Sequence, residues 1–224
     1  MTDHHRPLCE QLMVLLRSDD GKPVAGTTTG YLLAGAVLAD LVLQGRVDLA
    51  GPGEAVPAGR VLVRDPRPTG DGLLDDALER VRHREGARPG SVIRPLSKGT
   101  RRTVLERLTA AGVVRVSSRR VLGIFPVRSW PPVHPQSTAG ARRALQTVVE
   151  HGCRPDPETA MLISLLVVGG VFHKVLPTTD RKAQLGRAQQ LIQHNWVAAA
   201  TRKALQDIDA GAVGLADLSG LLGS

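Results

Sequence analysis

Lys98, Arg101 and Arg102 stand at i, i+3 and i+4. That spacing puts three cations on one side of the first turn of a helix beginning at Ser97 or Thr100. Cations at a helix start oppose the helix dipole and cost about 0.3–1 kcal/mol each when nothing balances them. A bound phosphate reverses the sign, because the free backbone N–H groups of the first turn and the Lys and Arg side chains together make an anion site. A solvated basic turn is the alternative reading of the same three residues. Shortly downstream, Val121, Leu122, Ile124 and Phe125 follow Arg119 and Arg120. Apolar side chains beside cations suit a membrane interface, where the cations meet lipid phosphates and the apolar groups lie just below them. A hairpin packed on the core is the plainer alternative.

The charge of the chain is concentrated in this region. From Arg80 to Arg120 there are twelve Lys or Arg against two acids, Glu85 and Glu106, whereas the whole chain of 224 residues carries only +8. The remainder is therefore slightly acidic, and the pI of about 10.4 belongs to one segment. A basic surface of this kind attracts anionic membrane, nucleic acid or an acidic protein tail. Other side chains that could do chemistry form no pattern. His4, His5, His83, His134, His151, His173 and His194 lack metal-ligand spacing, and no Gly-rich phosphate loop or nucleophile elbow is present. Asp71, Asp75 and Asp76 read as a helix cap and dipole partners rather than a catalytic pair. Cys9 and Cys153 make no disulfide framework and read as free buried thiols. These residues predict a binding protein with no metal or cofactor, not an enzyme.

The elements that must position the basic segment read as mainly α. With 42% hydrophobic and 2% aromatic residues, the core has to be built from Leu, Val, Ala and Ile, which suits close helix packing. Leu12 to Leu16 is a short apolar run, a strand or a helix end, closed by the turn signal Ser18-Asp19-Asp20-Gly21. Thr28 or Thr29 opens a helix over about 30–44 with Leu33, Val37, Leu38, Leu41 and Val42 on one face. Arg46–Leu49 and Arg60–Val63 read as strands around Gly51-Pro52-Gly53. Asp71 caps a helix carrying Leu73, Leu74, Ala77, Leu78 and Val81, which dissolves into a charged, flexible stretch over 80–90. The next helix turns Val104, Leu105 and Leu108 inward and ends at Gly112. Val113–Val116 and Val121–Phe125 read as a hairpin with Ser117–Arg120 at its turn. After Trp130-Pro131-Pro132, helices are expected over about 137–150, from Asp156-Pro157, over 179–193 and over 195–209. Trp196 and His173 read as core residues. The resulting fold class is a single compact multi-helix domain with small peripheral β-hairpins over 1–209, followed by a Gly-rich, flexible tail over 210–224. The apolar runs Leu8–Leu16 and Met161–Phe172 are too short or too interrupted for a signal peptide, an anchor or a membrane span.

A helix near Ser97 followed by a basic hairpin also suggests the recognition helix and wing of a winged helix-turn-helix regulator, which would place the same charges on DNA. Against this, Gly86, Pro89, Gly90 and Pro95 leave no short, clean helix ahead of it.

Three strings carry a resemblance. Gly35-Ala36-Val37-Leu38-Ala39-Asp40-Leu41-Val42-Leu43-Gln44-Gly45-Arg46-Val47, Pro68-Thr69-Gly70-Asp71-Gly72-Leu73-Leu74-Asp75-Asp76-Ala77-Leu78 and Leu105-Glu106-Arg107-Leu108-Thr109-Ala110-Ala111-Gly112-Val113-Val114 resemble, in order and spacing, the Golgi phosphoprotein 3 family over about 8–209. The resemblance implies a mostly helical fold, a basic pocket for phosphatidylinositol 4-phosphate on a membrane-facing surface, and an apolar hairpin that enters the bilayer beside it. It implies a peripheral membrane protein on the cytoplasmic face of a membrane, and in eukaryotic members an adaptor for protein cargo. The family's two pocket cations before the hairpin match Lys98 and Arg101, with Arg102 in support. Its inserting residues match Leu122, Gly123, Ile124 and Phe125, with Val121 at the edge. The family's pocket tryptophan and second arginine fall at about Ala25 and Ala34, so this chain departs from the pattern at both. The preference for Arg over Lys resembles high-GC bacterial coding.

Overall fold

A helix without a polar face organises the molecule. The computed structural model describes residues 6–18, 20–121, 125–134, 136–177, 180–193 and 195–221. In it α2 (Thr29–Leu43) is buried continuously from Leu32 to Leu41. It is surrounded by α1 (Leu8–Leu15), α3 (Gly72–Arg82), α4 (Pro89–Ser97), α5 (Thr100–Ala110), α7 (Pro157–Val168) and α10 (Trp196–Leu221). A helix apolar on all sides has to sit at the centre of such a bundle. Together with the short 3₁₀ turn Gly26–Thr28 before it, the helix has the length and mean hydropathy of a membrane span; its burial among six helices accounts for that composition. Gly35 sets the spacing on one side. A Cβ there would lie 2.4 Å from Thr201 Oγ1 on α10 and 2.8 Å from Leu165 on α7, so the three helices meet only because position 35 has no side chain.

The remaining elements form the rim. β1 (Val47–Leu49) and β2 (Val61–Val63) are an antiparallel pair, Val47 opposite Val63. β3 (Ser117–Val121) and β4 (Phe125–Ser129) form a second, Ser117 opposite Ser129 and Val121 opposite Phe125. α6 (Gln136–His151), α8 (Phe172–Val175) and α9 (Arg181–Ile192) complete the C-terminal half. The mainly α architecture expected from the sequence is the observed one.

Several local expectations change. Leu12–Leu16 belongs to α1, a full helix whose first amides are capped from another element: Asp40 accepts from the N–H of Leu8 at 3.0 Å and of Cys9 at 3.4 Å. The charged stretch after α3 leads directly into α4, where no helix was expected. Pro89 sits in the first turn of α4 and Pro95 in its last. The missing N–H costs nothing in a first turn and one bond near the end, while Val92, Ile93 and Leu96 are buried. The second hairpin is also shifted. Ser117–Arg120 lies in β3 rather than at the turn, and Val113–Arg115 meets the chain at 131–133 through Arg115 N–H to Pro131 O and Val133 N–H to Val113 O. Leu122, Gly123 and Ile124 lie outside the described residues. Cys9 is buried as expected, but Cys153 is exposed. Asp71 and Asp156 cap α3 and α7 as their sequences predict. Thr28 stands at the N-cap position of α2 without capping it: its hydroxyl donates to Ala25 O instead.

Candidate functional site

The junction between α4 and α5 presents the basic residues. α4 ends at Ser97, Lys98 is extended, and Gly99 adopts a left-handed φ of 80° before α5 begins at Thr100. Only glycine takes this conformation without strain. Arg80, paired with Asp76 at 2.7 Å, donates to the carbonyls of Pro95 (3.3 Å) and Lys98 (3.1 Å). It thus occupies acceptors at the end of α4 that would otherwise be open. The Thr100 hydroxyl donates to Leu96 O. The junction is therefore held by hydrogen bonds that leave Lys98 and Arg101 uncommitted.

This geometry separates the three cations. Arg101 and Arg102 occupy the first turn of α5, as expected. Lys98 lies outside that helix, and the left-handed turn at Gly99 keeps it off the face the other two share. Arg101 and Arg102 line a concavity of about 980 Å³ together with Leu105, Val116, Arg128 of β4 and Trp130. Lys98 lines a second one of about 730 Å³ with Tyr31, Arg84 and Arg94, closed on the far side by Asp207 and Ile208 of α10. Gly99 stands on the rim between the two surfaces. Arg102 is paired with Glu106 at 2.8 Å, both exposed. Lys98, Arg101, Arg94 and Arg128 have no ion-pair partner among the described residues. The first concavity adjoins the base of the β3–β4 hairpin through Arg128 and the exposed Val116. Of the residues expected to enter a membrane, Val121 and Phe125 close the described ladder, and Leu122 and Ile124 fall outside the described residues. Ala34 is fully buried and Ala25 partly so, and α2 carries no basic side chain.

Two functional candidates were not visible as a pair in the sequence. Arg17, just after α1, is 3% exposed. Its guanidinium carbon lies 5.4 Å from the centroid of the Trp130 ring. Nη1 reaches Gly21 O at 3.4 Å, Nη2 reaches Met13 Sδ at 3.5 Å, and Nε has no hydrogen-bond partner. No carboxylate pairs with it among the described residues. Burial, and after it the positive charge of Arg101, lower the Arg17 guanidinium to about 10. The available signal was a charged residue four positions after Met13, set against the apolar run of α1.

One arginine of the basic segment has a different role. Arg107 of α5 binds Asp71 through two hydrogen bonds of 2.7 and 2.6 Å and Glu10 of α1 through a third of 2.7 Å. Asp71 also accepts from the N–H of Leu73 (2.9 Å) and Leu74 (3.2 Å) at the start of α3, and Thr69 is tied to Asp75 at 2.6 Å. Burial acts to raise the Asp71 carboxyl, but the Arg107 guanidinium and the two amides outweigh it and hold the carboxyl below its ordinary value. The Pro68-Thr69-Gly70-Asp71 string thus joins α1, α3 and α5, and it sets the position of the helix from which Arg101 and Arg102 project.

Compared with known proteins, residues 8–208 match the family model described as Golgi phosphoprotein 3 (GPP34). No curated protein matches the chain.

Proposed function

The chain belongs to the Golgi phosphoprotein 3 family, and from that premise we propose that it is a peripheral membrane protein whose function is binding and recruitment rather than catalysis. It docks on the cytoplasmic face of a membrane by holding an anionic, phosphoinositide-like headgroup, phosphatidylinositol 4-phosphate by family resemblance. Arg101 and Arg102 meet the headgroup phosphate in their shared concavity and Lys98 meets lipid phosphates from the neighbouring one, while Val121, Leu122, Ile124 and Phe125 lie in the interface. A protein cargo on the opposite side would make it an adaptor. The observation that carries the reading is the shared concavity of Arg101, Arg102 and Arg128 with Val116 at the foot of the hairpin. Cations there sit beside an apolar edge, the arrangement a headgroup-and-acyl boundary requires.

A second reading rests on one observation. α4, the Lys98-Gly99 turn, α5 and the β3–β4 hairpin follow one another, which supplies the helix ahead of α5 that a helix-turn-helix with a wing needs. Salt weakens both modes of binding, so the discriminating property is apolar insertion. Co-sedimentation with vesicles of equal negative charge containing phosphatidylinositol 4-phosphate, phosphatidylinositol or cardiolipin, with duplex DNA as competitor, separates them. Tight vesicle binding that resists DNA and drops at least tenfold in Phe125→Asp supports the membrane reading. Strong DNA binding that is indifferent to Phe125→Asp, with no vesicle binding, sinks it.

A further inference from the structure

Arg17 has what an anion site needs and what a structural arginine avoids. A buried guanidinium normally meets a carboxylate, because an unpaired buried charge is strongly unfavourable. Arg17 meets none among the described residues. Its contacts are a carbonyl and a thioether at long range, and its Nε is orphaned. The positive charge of Arg101 acts on it and lowers its guanidinium further. Its ring partner, Trp130, is a wall of the same concavity that Arg101 lines. Arg128 on that concavity is also without an ion pair among the described residues, and Glu106, the acid among its described lining residues, is engaged by Arg102.

We propose that the counter-charge Arg17 lacks among the described residues is supplied by the ligand, as a phosphate held by Arg101 in the Trp130-walled concavity. Arg17 is then a specificity-determining residue that favours a doubly charged phosphomonoester over a singly charged phosphodiester. The proposal rests on the lipid-binding reading above and locates its inner wall, formed by Arg17 just after α1 and Trp130 at the end of the hairpin. A buried cation acts through its field even where it does not touch the ligand, and the field acts twice as strongly on a dianion as on a monoanion. In a medium of effective dielectric about 20, one such charge at about 10 Å is worth roughly tenfold in affinity per ligand charge.

The test uses the full chain and Arg17→Met, which keeps much of the volume and removes the charge. Vesicles carrying phosphatidylinositol 4-phosphate are compared with vesicles of phosphatidylinositol at equal total charge, and melting is followed with and without inorganic phosphate. The expected result is a loss of about tenfold in the preference for the monoester, with diester binding weakened by about tenfold and monoester binding by about a hundredfold. Arg17→Met should also melt no lower than the parent in phosphate-free buffer and lose the rise in Tm that phosphate gives the parent. A lower Tm with the preference and the phosphate response intact would overturn the proposal and make Arg17 a brace for the Gly21 turn. If Arg17→Met does not fold, Arg101→Met reads the same coupling from the surface. It should raise Tm without phosphate and abolish the phosphate response, and an unchanged Tm and response would overturn the proposal. If the parent sediments with no anionic vesicle, the lipid reading fails by itself. The phosphate response then still decides the inference: lost in Arg17→Met it stands for a free phosphate, and absent from the parent it falls.

Discussion

Arg17 is buried and Arg107 half-buried, and their surroundings are opposite. Arg107 spans Asp71 and Glu10, so two carboxylates, a helix N-terminus and three helices share one satisfied network. Arg17 meets a tryptophan, a carbonyl and a sulfur and feels the positive charge of Arg101, with one nitrogen unmet. The first arrangement is complete within the chain and contributes to holding the fold together. The second is complete only with something negative added. The difference separates cations that build the fold from cations that await a partner, although both kinds lie among the basic residues around α5.

Breaking the satisfied network should have the larger effect on stability. Arg107→Met leaves Asp71 and Glu10 without their cation. It is expected to cost about 2–4 kcal/mol, discounted from a fully buried pair because the side chain is partly exposed. For a chain of this size that lowers Tm by roughly 5–10 °C, while the molecules that remain folded should bind vesicles as the parent does. A Tm within a degree of the parent's would show that the network is decoration, and the contrast with Arg17 would collapse.

Asp40 sharpens the comparison from the acidic side. It is a buried carboxylate with no cation among the described residues, yet it is satisfied by the Leu8 and Cys9 amides, so it remains structural. Burial raises it to about 7 against those two hydrogen bonds. Its folded value lies above its unfolded one, so between about pH 4 and 7 the folded state binds the extra proton. Stability from this group is present at low pH and declines as pH rises through about 7, by no more than about 1.4 kcal/mol per pH unit. Asp40→Asn should flatten that decline in urea unfolding compared at pH 5 and pH 8. An unchanged slope would mean that Asp40 is ionised throughout.

Much of this was legible along the chain. The all-apolar α2, the caps at Asp71 and Asp156 and the inward Val104, Leu105 and Leu108 follow from local spacing, because one helix face or one side chain determines each. α4 was hidden because Pro89, Gly90 and Pro95 read as breakers, when their places in the first and last turns make them tolerable. The β3–β4 register was hidden because Ser117–Arg120 looks polar enough for a turn. Within the candidate site, Lys98 and Arg101 stand out by charge density, but their separation depends on the left-handed Gly99, which spacing alone does not reveal. Arg17 and Trp130 are far apart in the chain and meet only because the turn after α1 meets the end of the hairpin, where the Trp130 N–H donates to Gly21 O. An unpaired buried charge is a property of the tertiary structure and has no local signature.

The most direct measurement is co-sedimentation of Lys98→Ala/Arg101→Ala with phosphatidylinositol 4-phosphate vesicles at physiological salt. Neither side chain holds the fold, so Tm should not fall below the parent's. Two lost charge-assisted contacts at about 1.5–3 kcal/mol each should weaken binding by a hundredfold or more. Vesicle binding equal to the parent's in a well-folded double variant would contradict the account.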